Sequence, residues 1–202
     1  MISRAELTGL ILAGGKGRRM GGRDKGLELL AGQPFVAHVQ NRLANHVSEV
    51  LINANRNLER YADFGDRVIV DSEGGFLGPL MGIYTGLRAA STPWVVVTPC
   101  DSPALPTDLV ARLVNGIGEN DIAVADDGER LHPVVALIRT TLADDLEQVL
   151  SQGERKVERW QARHAWCRVD MSDCAEAFTN LNSEADKRRL SLKEAGATFT
   201  NI

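Results

Sequence analysis

The run Leu10-Ile11-Leu12-Ala13, which breaks straight into glycine, limits the fold more than any other feature of this sequence. A short apolar run of this kind is the pattern of a buried strand. Five glycines then fall within nine residues, Gly14 to Gly22, with Lys16, Arg18 and Arg19 among them and Arg23 and Lys25 just after. Glycine reaches positive φ and puts no Cβ in the way of a ligand. Successive amide N–H groups in such a loop converge into an anion-binding nest. A strand feeding a basic glycine loop is how an α/β protein holds a phosphate chain; the plain alternative is a solvated surface loop. Spacing excludes two familiar phosphate loops. After Gly15-Lys16-Gly17 the third glycine of G-x-G-x-x-G comes one residue late, with Met20 in its place. Gly17 and Gly22 have the gap of a P-loop, but Arg23-Asp24 follow instead of Lys-Ser/Thr.

The same punctuation recurs down the chain. Glu49–Asn53, Arg67–Asp71 and Trp94–Thr98 read as strands that end at or beside a polar residue. Between and after them lie amphipathic helical patterns. One opens at Pro34 with Phe35, Val36, Val39, Leu43 and Val47. One opens at Pro79 with Leu80, Ile83, Tyr84 and Leu87, and one spans 107–117. A later one carries Leu142, Leu146, Val149 and Leu150. Strands alternating with helices predict a mainly parallel sheet in a three-layer, Rossmann-like α/β fold. The turn Asp126-Asp127-Gly128-Glu129 between strands 121–125 and 132–138 predicts a hairpin, a small antiparallel excursion. Cys167–Val169 is a short strand, and Ser183 to Asp186 has the capping-box pattern of a last helix.

Ligands of parallel sheets collect at the carboxyl ends of strands. Asn53, Asp71 and Asp101 stand there, Asp101 between Pro99 and Pro103. Each has a plain structural alternative: a turn for Asn53, a cap for the carboxylates. His38 and His46 read as ordinary helix residues, Cys100 as a packing residue, and Trp160 as core or as a stacking face.

Composition bounds the class. With 44% apolar and 25% charged residues, 202 residues fit one domain with a large core. A formal charge of −4 argues against binding nucleic acid through overall charge, so the N-terminal basic cluster reads as a local site. No apolar run approaches the ~20 residues that span a bilayer, and Leu7–Ala13 runs into the loop rather than forming a secretory signal. Three cysteines with no C-x-x-C pair fit a reducing cytoplasm, the expected location.

Residues 12–25 resemble the opening signature of the nucleotidyltransferases, L-A-[GA]-G-x-[GS]-x-R-M-G followed by a lysine, here Lys25. Within that class the Gly14-Gly15 pair, the second glycine run and Asp24-Lys25 are most similar to the molybdenum cofactor guanylyltransferases. Cytidylyl-transferring relatives more often carry Ala-Ala-Gly here. The resemblance continues through Gly78-Pro79-Leu80-x-Gly82, Pro99-Cys100-Asp101-x-Pro103, His132-Pro133, Gly153-x-Arg155-Lys156-Val157 and Phe178-x-Asn180-x-Asn182. After Asn182 the usual Thr-Pro is replaced by Ser183-Glu184.

The resemblance implies one nucleotidyltransferase domain over 1–202, its N-terminal half for nucleotide and its C-terminal half for acceptor. It implies transfer of GMP from GTP to the terminal phosphate of molybdenum-loaded molybdopterin, with pyrophosphate leaving and Mg²⁺ as cofactor. Leu12, Ala13, Gly14, Gly15, Gly17, Lys25, Asn53, Asp71, Gly78, Pro79, Gly82 and Asp101 would contact nucleotide. Arg19 and Lys25 would offset phosphate charge, and Asp101 would hold the metal. His132, Arg155, Lys156, Asn180 and Asn182 would face the acceptor. A molybdenum-insertion protein and molybdoenzyme chaperones are the further partners implied; nucleic acid and membrane are not. Three rivals stand beside this reading. They are the same chemistry with CTP or a sugar phosphate, a dinucleotide-dependent oxidoreductase, and a non-catalytic GTP-binding adaptor that delivers cofactor. The displaced third glycine, and Asn rather than an acid at the end of the second strand, count against the oxidoreductase.

Overall fold

Strands and helices alternate as the apolar periodicity predicts. The structure, a computed structural model, describes residues 2–14, 24–72 and 78–178. It runs β1 (Leu7–Leu12), β2 (Leu29–Leu30), β3 (Gln33–Pro34), α1 (Phe35–Leu43), β4 (Glu49–Asn53), α2 (Leu58–Tyr61) and β5 (Arg67–Ile69). Then come α3 (Pro79–Ala89), β6 (Trp94–Pro99), α4 (Leu109–Gly116), β7 (Ile122–Asp126), β8 (Leu131–Arg139), α5 (Ala143–Ser151), α6 (Val157–Gln161) and β9 (Trp166–Asp170).

Among the described residues, seven strands form one sheet in the order β5-β4-β1-β6-β8-β7-β9. β5, β4, β1 and β6 are mutually parallel, and β9 is parallel to β7. Only β8 runs the other way, antiparallel to both β6 and β7, with a register shift between Val124 and Ala125. The hairpin predicted at 126–129 is the β7–β8 turn. β2 and β3 make a separate two-stranded antiparallel sheet. Ala31 and Gly32, both at positive φ (49° and 83°), close it with the backbone twist that tight hairpins require.

Alternate strand residues point to opposite faces, which divides the core in two. Ile11, Val50, Ile52 and Val96 pack with Val36, Val39 and Leu43 of α1 and Leu109 and Leu113 of α4. Leu10, Leu51, Val95 and Val97 pack with Leu80, Ile83 and Leu87 of α3, Leu146 and Val149 of α5, and Trp160 of α6. That is the three-layer arrangement expected from the alternation. Trp160 is fully buried, and its Nε1 donates to Asp145 Oδ2 at 3.0 Å. It is a core residue and offers no stacking face.

Two boundaries differ from the sequence reading. The predicted strand over 67–71 is paired only to Ile69, because the Asp71 N–H donates to the Asn55 side chain at 3.0 Å and leaves the ladder. The helix predicted over 107–117 begins at Leu109, following Pro106. The short helices α2 and α6 were not predicted; four and five residues carry too little periodicity. Among the described residues, no helix is long and apolar enough to cross a membrane.

Candidate active site

The register of the sheet sets the site. Leu12 pairs with both Asn53 and Pro99, and Asn53 pairs with Ile69. Ile69, Asn53, Leu12 and Pro99 therefore form one row across four parallel strands at their carboxyl edge. Two residues beyond each lie Asp71, Asn55, Gly14 and Asp101. Because β8 is reversed, its first residues, Leu131 to Val135, reach the same edge. A cavity of about 560 Å³ opens there. Leu12, Gly14, Asn53, Asp71, Gly78, Pro79 and Asp101 line it on the β1/β4/β5/β6 side, His132 and Pro133 on the β8 side, with Phe178 beside them.

Asn53 is 2% exposed and donates from Nδ2 to Asp71 Oδ1 at 2.9 Å. Asn55 Nδ2 donates to the other carboxylate oxygen, Oδ2, at 2.7 Å. The glycines around this cluster have a steric reason. A Cβ on Gly82 would lie 2.5 Å from Asn53 Oδ1 and 2.9 Å from Leu12 Cδ2. A Cβ on Gly14 would lie 3.0 Å from Asn55 Nδ2 and 3.3 Å from Asn53 Oδ1. Gly78 caps α3 at φ 87°, ψ −177°, a backbone conformation essentially confined to glycine. Gly78 and Pro79 thus bring the amino end of an 11-residue helix, with its partial positive charge, to the cavity wall.

Lys25 Nζ lies 3.3 Å from Asp101 Oδ2, and both side chains are about a quarter exposed. Lys25 opens a short 3₁₀ turn preceded by Asp24. Asp24 accepts from Tyr61 Oη at 2.5 Å and Asn57 Nδ2 at 2.8 Å, and faces Arg56 Nε at 3.4 Å. Three partners from the segment 56–61 therefore fix the backbone that carries Lys25. Burial, then neighbouring Cys100 and the Asp24 bond, hold the Tyr61 hydroxyl above its ordinary pKa. A Cβ on Gly26 would collide with the Tyr61 hydroxyl, so glycine is needed there too. Cys100 is buried, and burial followed by the charge of Asp101 pushes its thiol up, away from thiolate chemistry.

Across the cavity, His132 Nε2 is 2.7 Å from Asp127 Oδ2. Asp127 Oδ1 accepts the N–H groups of Glu129 (2.9 Å) and Arg130 (2.8 Å). Burial works to raise the Asp127 pKa, but the His132 bond and the two amides outweigh it and hold it at about 2. The His132 ring lies against Phe178 with centroids 4.6 Å apart.

The structure thus brings Leu12, Gly14, Asn53, Asp71, Gly78, Pro79, Asp101 and His132 to one cavity, with Lys25 paired to Asp101 and Gly82 beneath Asn53. Ala13 is buried and continues the β1 ladder, donating to Asn53 O at 2.8 Å. Arg155 and Lys156 do not line this cavity. Arg155 Nη1 donates to the carbonyls of Leu150 (2.8 Å) and Glu154 (2.6 Å), closing the carboxyl end of α5. Gly15, Gly17, Arg19, Asn180 and Asn182 lie outside the described residues. Asn55, Asp127 and Asp24 were missed as site-building residues. The i, i+2 repeat Asn53-Ala54-Asn55 was the one available signal, since extended residues two apart share a face.

The family model of the MobA-like NTP transferase domain matches residues 9–167. Molybdenum cofactor guanylyltransferase of Shewanella sediminis (strain HAW-EB3) is 45% identical over 188 residues, which is 92% of this chain and 96% of that relative. The protein of the same name from Ralstonia nicotianae is 47% identical over 201 residues, 94% and 98% of the two chains. Among solved structures, molybdopterin-guanine dinucleotide biosynthesis protein A from Archaeoglobus fulgidus is similar at TM-score 0.75 and 21% identity, over 94% of this chain and 99% of that one. The 2-C-methyl-D-erythritol 4-phosphate cytidylyltransferase of Thermus thermophilus is similar at TM-score 0.69 and 16% identity, over 92% and 98%. At such identities these likenesses are of fold alone.

Proposed function

The chain belongs to the molybdenum cofactor guanylyltransferases, nucleotidyltransferases built on the MobA-like NTP transferase domain, and from that membership we propose that it transfers GMP from GTP to the terminal phosphate of molybdenum-loaded molybdopterin. One observation carries the reading: a cavity at the carboxyl edge of the sheet with Asp71 at one end, Asp101 beside Lys25 in the middle, and His132 on the reversed strand opposite.

The base goes to the end lined by Leu12, Asn53, Asp71, Gly78 and Pro79, where a carboxylate can accept from N1–H and the 2-amino group of guanine. The phosphates go to the loop that begins at Gly14, with Gly15 and Gly17 supplying further amides and Arg19 and Lys25 positive charge. An oxygen of the acceptor phosphate attacks the α-phosphorus, the bond to the β-phosphate oxygen breaks, and pyrophosphate leaves. No general base is required, because a phosphate monoester with a second pKa of about 6 is already ionised. Lys25 then offsets charge on the α-phosphate and the leaving group.

The residues fit a magnesium ion. Asp101 offers a hard carboxylate oxygen at the cavity wall, and magnesium typically takes one or two carboxylates, several waters and substrate phosphates. Bound there, it supplies charge neutralisation and alignment of the phosphates. The acceptor lies on the β8 side near His132, so the N-terminal half serves nucleotide and the C-terminal half acceptor. Arg155, Lys156, Asn180 and Asn182 remain part of that acceptor proposal.

The test is direct. The protein is incubated with Mg²⁺, molybdopterin and each NTP in turn, and products are identified by mass. A GMP adduct of molybdopterin with stoichiometric pyrophosphate is expected. Equal use of CTP would overturn the guanylyl assignment, and nucleotide binding without pyrophosphate would overturn the enzymatic one.

A further inference from the structure

Asn55 is absent from the cavity wall, yet it makes more bonds to Asp71 than any other described residue. Its Nδ2 donates to Asp71 Oδ2 at 2.7 Å, and its Oδ1 accepts the Asp71 backbone N–H at 3.0 Å. The two bonds fix which end of the amide is which, since a backbone N–H only donates and an ionised carboxylate only accepts. Asn53 takes the other oxygen at 2.9 Å. Thr85 Oγ1 approaches that oxygen at 3.5 Å while donating to Met81 O at 3.0 Å. Asp71 stands beyond the last rung of β5, so among the described residues no strand neighbour holds its backbone. Asn55 replaces that missing partner.

We propose that Asn55 is a positioning residue for nucleotide choice, acting by clamping the backbone and carboxylate of Asp71 in the orientation that meets the guanine edge. The inference rests on the reading of Asp71 as the base-recognising carboxylate. Two acceptor atoms must face two donors at once, so the plane of the carboxylate matters more than its presence. The amides of Asn53 and Asn55 each occupy one site on one oxygen. Each oxygen keeps further acceptor capacity, in a plane the two amides define. Gly14 belongs to the same device. A Cβ there would lie 3.0 Å from Asn55 Nδ2, so an alanine presses on the atom that holds Asp71.

The experiment measures kcat and KM for GTP, ITP and ATP in the wild type and in Asn55→Ala, Asn55→Asp, Asp71→Asn and the double variant Asn55→Ala/Asp71→Asn. Asn55→Asp keeps the shape and the acceptor for the Asp71 N–H but turns the donor into a second carboxylate, and it tests the clamp where the alanine variant folds poorly. Melting is recorded for each. The expected result is a fall of about tenfold in the GTP-to-ATP ratio of kcat/KM for either Asn55 variant, the scale of one lost charged hydrogen bond. It should be carried by KM with kcat within about twofold. Adding Asn55→Ala to Asp71→Asn should change the ratio no further, because the clamp then has nothing to orient. An unchanged ratio in both Asn55 variants, with the ratio collapsed in Asp71→Asn, overturns the clamp and leaves the base-recognition reading standing. An unchanged ratio in Asp71→Asn overturns that reading and the clamp with it.

Discussion

Lys25 Nζ and Asp101 Oδ2 stand 3.3 Å apart beside the cavity that Asp101 lines, each side chain about a quarter exposed. Such a pair contributes under about 1 kcal/mol to stability, because water screens it and two side chains must be ordered. Its value lies in keeping a cation and a carboxylate where a phosphate chain and a metal are proposed to meet. Lys25→Ala is therefore expected to leave the melting temperature nearly unchanged. It should cut turnover a hundredfold or more, on the order of 3 kcal/mol of transition-state stabilisation. Near-normal turnover would remove Lys25 from the chemistry.

Gly82 and Gly153 make a matched pair of substitutions. At Gly82 an alanine Cβ would lie 2.5 Å from Asn53 Oδ1, so a buried neighbour must shift to admit it. Gly82→Ala should push Asn53 off Asp71, lower stability by about 1–3 kcal/mol, and raise the KM for GTP at least tenfold. At Gly153 a Cβ meets nothing within 4 Å, and only the φ of 89° opposes it. Gly153→Ala should cost about 1–2 kcal/mol from left-handed backbone alone and leave KM unchanged. Equal effects on KM would contradict the steric account of Gly82.

Much of this site was legible in the sequence because parallel sheets put ligands at one edge. An apolar run closed by a polar residue marks that edge, so the place of Asn53, Asp71 and Asp101 at it was readable, while their ligand roles rest on the family resemblance. The two core faces followed from alternation, as Leu10 and Ile11 illustrate by packing on opposite helices. What stayed hidden depends on partners that spacing does not encode. Asn55 acts on a residue 16 positions away. Asp127 reads as one acid of a turn, and only the fold turns it toward His132. Arg155 shows the reverse. Adjacent cations suggest an anion site, and spacing gave no sign that the Arg155 guanidinium also closes the end of α5.

The depressed pKa of Asp127 makes a pH prediction with a definite sign. Its carboxyl titrates at about 2 in the fold against 3.8 ordinarily. The stabilisation is therefore fully present above about pH 4–5 and is lost as pH falls through about 2. Asp127→Asn should be less stable than the parent by on the order of 1–2 kcal/mol at neutral pH, and the gap should close between pH 4 and pH 2. Denaturant unfolding of both proteins across that range checks it. A gap independent of pH would mean that shape, not charge, holds the β7–β8 turn.

Asp101 is the residue on which the proposed chemistry turns. It follows β6 by two positions, lies on the cavity wall, and faces Lys25. Asp101→Asn keeps size and shape and removes the negative charge a hard cation needs. The partner left behind is an ammonium group about a quarter exposed, so water can solvate it and the melting temperature should move little. On the proposed reading GTP would bring magnesium with it and keep its contacts near Asn53 and Asp71, so its affinity should fall only a few-fold. What should fail is alignment of the α-phosphate with the acceptor, and kcat should drop by two orders of magnitude or more. Added Mg²⁺ should rescue only part of that loss, since mass action restores occupancy and not geometry. If Asp101 were only a structural partner of Lys25, the variant would keep its kcat and its Mg²⁺ dependence. Lys25→Ala would then restore whatever stability the change removed. Titrating Mg²⁺ against kcat for the single and double variants, with GTP affinity measured on each, separates the two outcomes.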